Sequence, residues 1–193
     1  SRRLRPSPEA QAPYKTAIKF HTSGGLAAVW APENTREAIF DALARRETYA
    51  TSGPRVAVRF YAGWDIDKAV VNDPNAVQSV MVDGVPMGGV LRTNNSKQAS
   101  PGFFVWATRD PMDAPLQRVQ MIKGWIDAEG QTQANVVDIA CADGLAVDLA
   151  TGRCPDNGAT VDLNSCNFST GSGANELKSL WHDPDFDPAQ NAF

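Results

Sequence analysis

The stretch from Asn34 to Phe60, NTREAIFDALARRETYATSGPRVAVRF, constrains the fold more than any other part of the chain. Several local signals agree there. Asn34 is a good N-cap, and Glu37 stands where a capping-box carboxylate reaches back. Ile39, Phe40, Ala42 and Leu43 recur at helical spacing and predict one core-facing apolar stripe. Arg45 and Arg46 fall in the last turn, where cations oppose the negative helix end. A helix over 33–47 follows, broken by Thr51-Ser52-Gly53-Pro54. Val56, Val58 and Phe60 then alternate with Arg55, Ala57 and Arg59, the period of a strand with one buried face.

The remainder reads mostly as strand. Residues 1–32 hold Pro6, Pro8, Pro13 and Gly24-Gly25 and predict an irregular segment. Val77 to Val82 reads as a strand closed by the turn pair Asp83-Gly84, and Pro86-Met87-Gly88-Gly89 as a further bend. Gly102 to Thr108 is a dense apolar run suited to burial on both faces. Leu116 to Ile126 alternates, and Asn135 to Ala140 is a further apolar run. Residues 141–174 predict a long loop, Glu176 to Trp181 a short helix, and Asp183 to Pro188 turning backbone. The expected fold is mainly β, in the α+β class. It is a β-sandwich-like domain preceded by one amphipathic helix and an irregular N-terminal segment.

With 193 residues the chain can bury a core without staples. Its net charge is −4, and no basic block follows Arg2, Arg3 and Arg5, which excludes the electrostatic footprint of a nucleic-acid binder. No run of 18 apolar residues predicts a transmembrane helix. No secretory leader is recognisable; the chain does not begin with Met, so a processed or cut start is expected.

Cys141, Cys154 and Cys166 lie in a region rich in Gly, Asp, Asn and Pro, without the paired CxxC spacing of a zinc site. One disulfide among the three, with one cysteine left over, is expected ahead of free buried thiols or a metal site, and the clustering favours an oxidising compartment. His21, in a glycine loop, has no spaced second metal ligand. Asp183, Asp185 and Asp187 begin like a calcium loop, but position six would be Pro188 where a Gly is needed. Asp65 and Asp67 have the chemistry for paired-carboxylate work or cation binding, set against a role as turn residues at a strand end. The five tryptophans, Trp30, Trp64, Trp106, Trp125 and Trp181, read either as a sugar-stacking platform or as core. GxxxxGK[ST], GxGxxG, GxSxG and HExxH are absent.

The run from Ser23 to Trp64 resembles a bacterial family catalogued as domain-of-unknown-function family 3604. So do Gly84 to Gly89, Arg118 to Trp125, Arg153 to Ala159 and Leu180 to Pro188. The likeness extends over about Ser23 to Phe193. Members of that family are longer, and their N-terminal part is similar to the polymerase-and-histidinol-phosphatase (PHP) superfamily, whose barrel holds a metal cluster for phosphoester hydrolysis. RRETYATSGP, Arg45 to Pro54, resembles the closing helix of such barrels. The resemblance implies that residues 1–54 are the edge of a PHP-like barrel and that 55–193 form a C-terminal domain. This chain lacks the HxH motif of the superfamily, so no metal ligand carries over. The implied function is that of a non-catalytic piece of a metal-dependent ester or phosphoester hydrolase. Zinc or manganese is expected only with the missing barrel, no cofactor in this chain. The residues nominated to reach that site are His21, Glu33 and Arg46. The implied partners are the barrel and a second copy of the chain, and the implied location is the periplasm or the exterior. The resemblance also implies a partner for the odd cysteine, in a segment past the equivalent of Phe193. The rival readings are a carbohydrate- or protein-binding module and a purely structural accessory domain.

Overall fold

The computed structural model describes residues 25–93 and 100–193. Its first strand, β1 (Gly25–Val29), lies in the stretch expected to be irregular. Nothing local announces it. Its antiparallel partner, β2 (Thr48–Ser52), lies beyond the helix, and strand propensity is set by such context. That helix, α1, spans Arg36–Arg45 and is shorter at both ends than expected. Thr35, not Asn34, is the N-cap; its Oγ1 accepts the Ala38 N–H at 3.3 Å. Arg46 stops the helix in the left-handed region, at φ 63°, and its N–H turns back to the carbonyls of Ala42 and Leu43. Thr51 and Ser52 are therefore strand rather than helix breaker.

The expected stripe of α1 also divides. Ala42 is buried and Ile39 half-buried, whereas Phe40 and Leu43 are 68% and 50% exposed. On this helix the smallest apolar side chain is the one in the interior.

The principal sheet has the order β4-β3-β5-β8, all antiparallel. Strand β3 is Ala57–Gly63, β4 Val85–Pro86, β5 Gly102–Thr108 and β8 Glu176–His182. One face packs on a 3₁₀-helix, Lys68–Asn72, and on α2, Ala76–Asp83. There Tyr61 and Phe104 meet Val70, Ala76 and Val80. The other face carries the aromatic row Phe60, Phe103 and Trp181, with centroid separations of 6.1 and 5.7 Å. Strand β3 thus contributes to both faces, not one, and Tyr61 anchors the side that Arg59 shares. Central β5 is interior on both faces, as its composition predicts.

Two further elements differ in kind from the sequence reading. Residues 77–82 are helical, not extended. Asp73 starts the turn, accepting the Asn75 N–H at 2.8 Å and the Ser79 hydroxyl at 2.6 Å, and Ala76 and Val80, one turn apart, enter the core. Glu176 to Trp181 is strand, not helix, because β5 offers a free edge along its whole length, from Gly102↔His182 to Thr108↔Glu176.

A hairpin of β6 (Arg118–Ile126) and β7 (Thr132–Cys141) lies beside β8. The Ser179 hydroxyl donates to the Ile139 carbonyl at 2.8 Å. Lys123, inward on β6, donates to Asp183 at 2.6 Å and to the Asp185 carbonyl at 3.2 Å. Gly124 allows the Phe193 ring to lie directly on the strand, where a Cβ would collide with it. The whole is a mainly-β domain of the α+β class, as expected.

Candidate functional site

Of the three nominated residues, two are among the described ones. His21 lies outside the described residues. Glu33 is exposed just before α1 and accepts the Thr35 hydroxyl at 3.2 Å. Arg46 caps the opposite end, and at 1.5 Å rise per residue the helix separates the two by roughly 15 Å. What reaches Arg46 is the bend after β4. Gly88, at φ 77°, lies against the Arg46 main chain so closely that a Cβ would collide with it. Two stretches far apart in sequence thus meet at the C-terminus of α1.

Asp65 and Asp67 come together with Asp73, Ser79 and Asp83 around a cavity of about 350 Å³. Much of their hydrogen-bonding capacity is local. Asp67 caps the 3₁₀-helix through the Ala69 N–H at 2.8 Å. Asp73 uses both oxygens, and the Ser79 hydroxyl, then the Asn75 N–H, hold its carboxyl below the usual range. Near the C-terminus, Asp183 is buried against Lys123 and accepts the Asp185 N–H at 2.9 Å, and Asp187 accepts the Ala189 N–H at 2.9 Å. Among the described residues no group of three His, Cys, Asp or Glu is placed to hold a metal ion.

A second cleft, about 430 Å³ and open to solvent, lies where the sheet meets the start of α2. From the sheet come Ala57, Arg59, Trp106 and Thr108; from the approach to and first turn of α2 come Pro74, Asn75, Val77 and Gln78; Trp30 completes it. Arg59 and Trp106 are direct cross-strand neighbours, as are Trp106 and Lys178. The Arg59 guanidinium stacks on Trp30 at 3.3 Å from the ring centroid, and Lys178 Nζ stands 4.0 Å over Trp106. Tyr49 lies 5.9 Å from Trp30, and the Trp30 indole N–H donates to the Val58 carbonyl at 2.8 Å. Two of the five tryptophans thus share one cleft, each stacked with a cation.

The sequence pattern of a protein family of unknown function, DUF3604, matches residues 2–193. The chain belongs to the DUF3604 family. No curated protein and no solved structure matches it.

A buried, multiply bonded carboxylate in this DUF3604 chain has no counterpart among the nominated residues. Asp138 is buried in β7, beside a bulge at Val119/Gln120. It accepts the Cys154 N–H and the Gln120 amide, both at 2.7 Å, with Arg153 and Arg118 guanidinium nitrogens at 3.4 and 3.5 Å. Burial pushes its carboxyl up, but the Cys154 and Gln120 hydrogen bonds and the Arg118 charge outweigh burial and hold it below the usual range. The available signal was an aspartate inside the apolar run Val136-Val137-Asp138-Ile139, a position where a charge survives only if paired. Its role is to fasten the cysteine loop. Cys141 and Cys154 form the disulfide, and Cys166 is free and exposed.

Proposed function

We propose that this chain is the non-catalytic C-terminal part of a PHP-like, metal-dependent hydrolase of esters or phosphoesters. Residues 1–54 form the edge of its barrel, and 55–193 the domain attached to it. One observation carries this reading. A surface helix normally turns its largest apolar side chains inward. Here α1 buries Ala42 and presents Phe40 and Leu43 outward, while Leu26 on β1 is 45% exposed. The occupant we assign to this face is the barrel of the same protein.

The described residues do not fit a metal centre, so no metal-assisted step is derived within this chain. Zinc or manganese would belong to the barrel, where it would activate water. The Cys141–Cys154 disulfide supports an oxidising compartment, periplasmic or extracellular. No described helix is long and apolar enough to cross a membrane.

The test compares this chain with a longer form carrying the barrel, on nitrophenyl esters and phosphoesters with and without chelator. The longer form is expected to hydrolyse one class in a zinc- or manganese-dependent way, and the 193-residue chain neither. Turnover by this chain alone would refute the accessory role, and an inert longer form would refute the hydrolase.

A further inference from the structure

We propose that the cleft beside Trp30 and Trp106 binds a carboxylate-bearing sugar. This inference is independent of the hydrolase reading. It starts from Arg59. Among the described residues its guanidinium has no hydrogen-bond or ion-pair partner, and it stacks on the Trp30 ring. Stacking on an indole fixes the plane of a guanidinium while leaving the N–H groups at its edge available, the geometry that meets a carboxylate with two parallel bonds.

The surroundings favour an anion with a ring attached. Among the described residues no carboxylate lines the cleft. The nearest described acid on the Trp106 side is Glu176, which accepts the Trp106 indole N–H at 3.0 Å and stands 3.6 Å from Lys178, so its charge is offset locally. Three neutral side chains lining the cleft, Asn75, Gln78 and Thr108, make no hydrogen bond among the described residues; Asn75 occupies the N-cap of α2 without capping it. Amides and a hydroxyl of this kind suit sugar hydroxyls. The two indoles that line the cleft supply apolar surface for the C–H face of a pyranose. A volume of about 430 Å³ lies within the range of small-molecule sites.

A brace of stacked cations and aromatics that only stiffens the sheet would use the same Trp30–Arg59 contact. The two roles separate in solution. Glucuronate, glucose and acetate are each titrated into the complete chain and followed by calorimetry and by the indole N–H resonances. Sugar recognition through Arg59 predicts saturable glucuronate binding that shifts the Trp30 and Trp106 signals. It also predicts at least tenfold weaker binding of glucose and of acetate. Arg59→Gln should weaken glucuronate tenfold or more. Gln78→Ala, on the exposed surface of α2, should weaken it several-fold without altering the melting temperature. Should Arg59→Gln fail to fold, Gln78→Ala and the ligand series still decide. Equal affinity for acetate would mean a general anion site, equal affinity for glucose would remove Arg59 from recognition, and no binding would leave only the brace. Each of these three results overturns the proposal.

Discussion

The two β-rich halves of the molecule are held by different forces. In the principal sheet, Tyr61, Val70, Ala76, Val80 and Phe104 form a continuous apolar cluster between strand and helix. Among the described residues the β6–β7 hairpin has no comparable cluster, and Ile122 and Ile126 on β6 are exposed. It is fastened instead by directional links: Lys123 to Asp183, Ser179 to Ile139, Asp138 to the cysteine loop, and the Cys141–Cys154 bond. A two-stranded ribbon cannot bury enough apolar surface to stand alone, so covalent and charged links replace what burial does elsewhere.

The largest expected effect is in the apolar half. Phe104 is fully buried at the centre of the cluster, so Phe104→Ala should destabilise the fold by about 4 kcal/mol in urea unfolding. Next comes the disulfide, which closes a loop across a sequence separation of 13. Reduction should cost about 3 kcal/mol, lowering Tm by roughly 6–12 °C in a scan with and without reductant. Asp138→Ala should cost about 2 kcal/mol, since Arg118 and Arg153 are both partly exposed and regain water while the Cys154 N–H loses its acceptor. The combinations sharpen the contrast. Asp138→Ala with reduction should be less than additive, because both act on the Cys154 segment. Phe104→Ala with reduction should be additive to within about 0.5 kcal/mol. Additivity in both pairs would mean that the loop is not one unit.

The acid limb tests the same charge. The Asp138 carboxyl titrates lower in the folded chain than an ordinary aspartate at 3.8. The folded state therefore binds fewer protons than the unfolded one at that pH. Its contribution is present above the unfolded pKa and is lost as pH falls through the folded pKa. Asp138→Asn should flatten the fall of Tm below about pH 4. Among the described residues Asp73, Asp110, Asp127 and Asp162 add to the remaining slope, lowered by hydrogen bonds that are local except for the Arg55 N–H on Asp110.

How much of this was legible in the sequence follows the same division. Features set by neighbouring residues were readable: the existence of α1, the run Gly102–Thr108, the alternation of β6 and the long cysteine loop. Features set by distant partners were not. Strand β1 depends on β2, β8 depends on the edge of β5, and α2 is helical because Ala76 and Val80 find Tyr61 and Phe104. The clefts fail for the same reason. Nothing between Trp30, Arg59, Asn75 and Trp106 in sequence announces that they line one space. Asp65 and Asp67 were visible as a pair, yet their company of Asp73 and Asp83 comes from folding the 3₁₀-helix and α2 beside them.

The smallest effect expected in this chain is the most informative about the proposed barrel. Phe40 is 68% exposed on α1, so Phe40→Ser removes little buried surface. The change in unfolding free energy should stay within about 0.5 kcal/mol. If the barrel covers that face in the longer protein, the same ring is interior there. Phe40→Ser should then cost about 3 kcal/mol or loosen the barrel from this domain, read as a separate melting transition or new protease cleavage. The comparison uses one substitution in two contexts and does not depend on knowing a substrate. A loss confined to the longer form would locate the docking face on α1. Equal, small effects in both would leave Phe40 and Leu43 as ordinary exposed apolar residues, and the barrel would have to sit elsewhere.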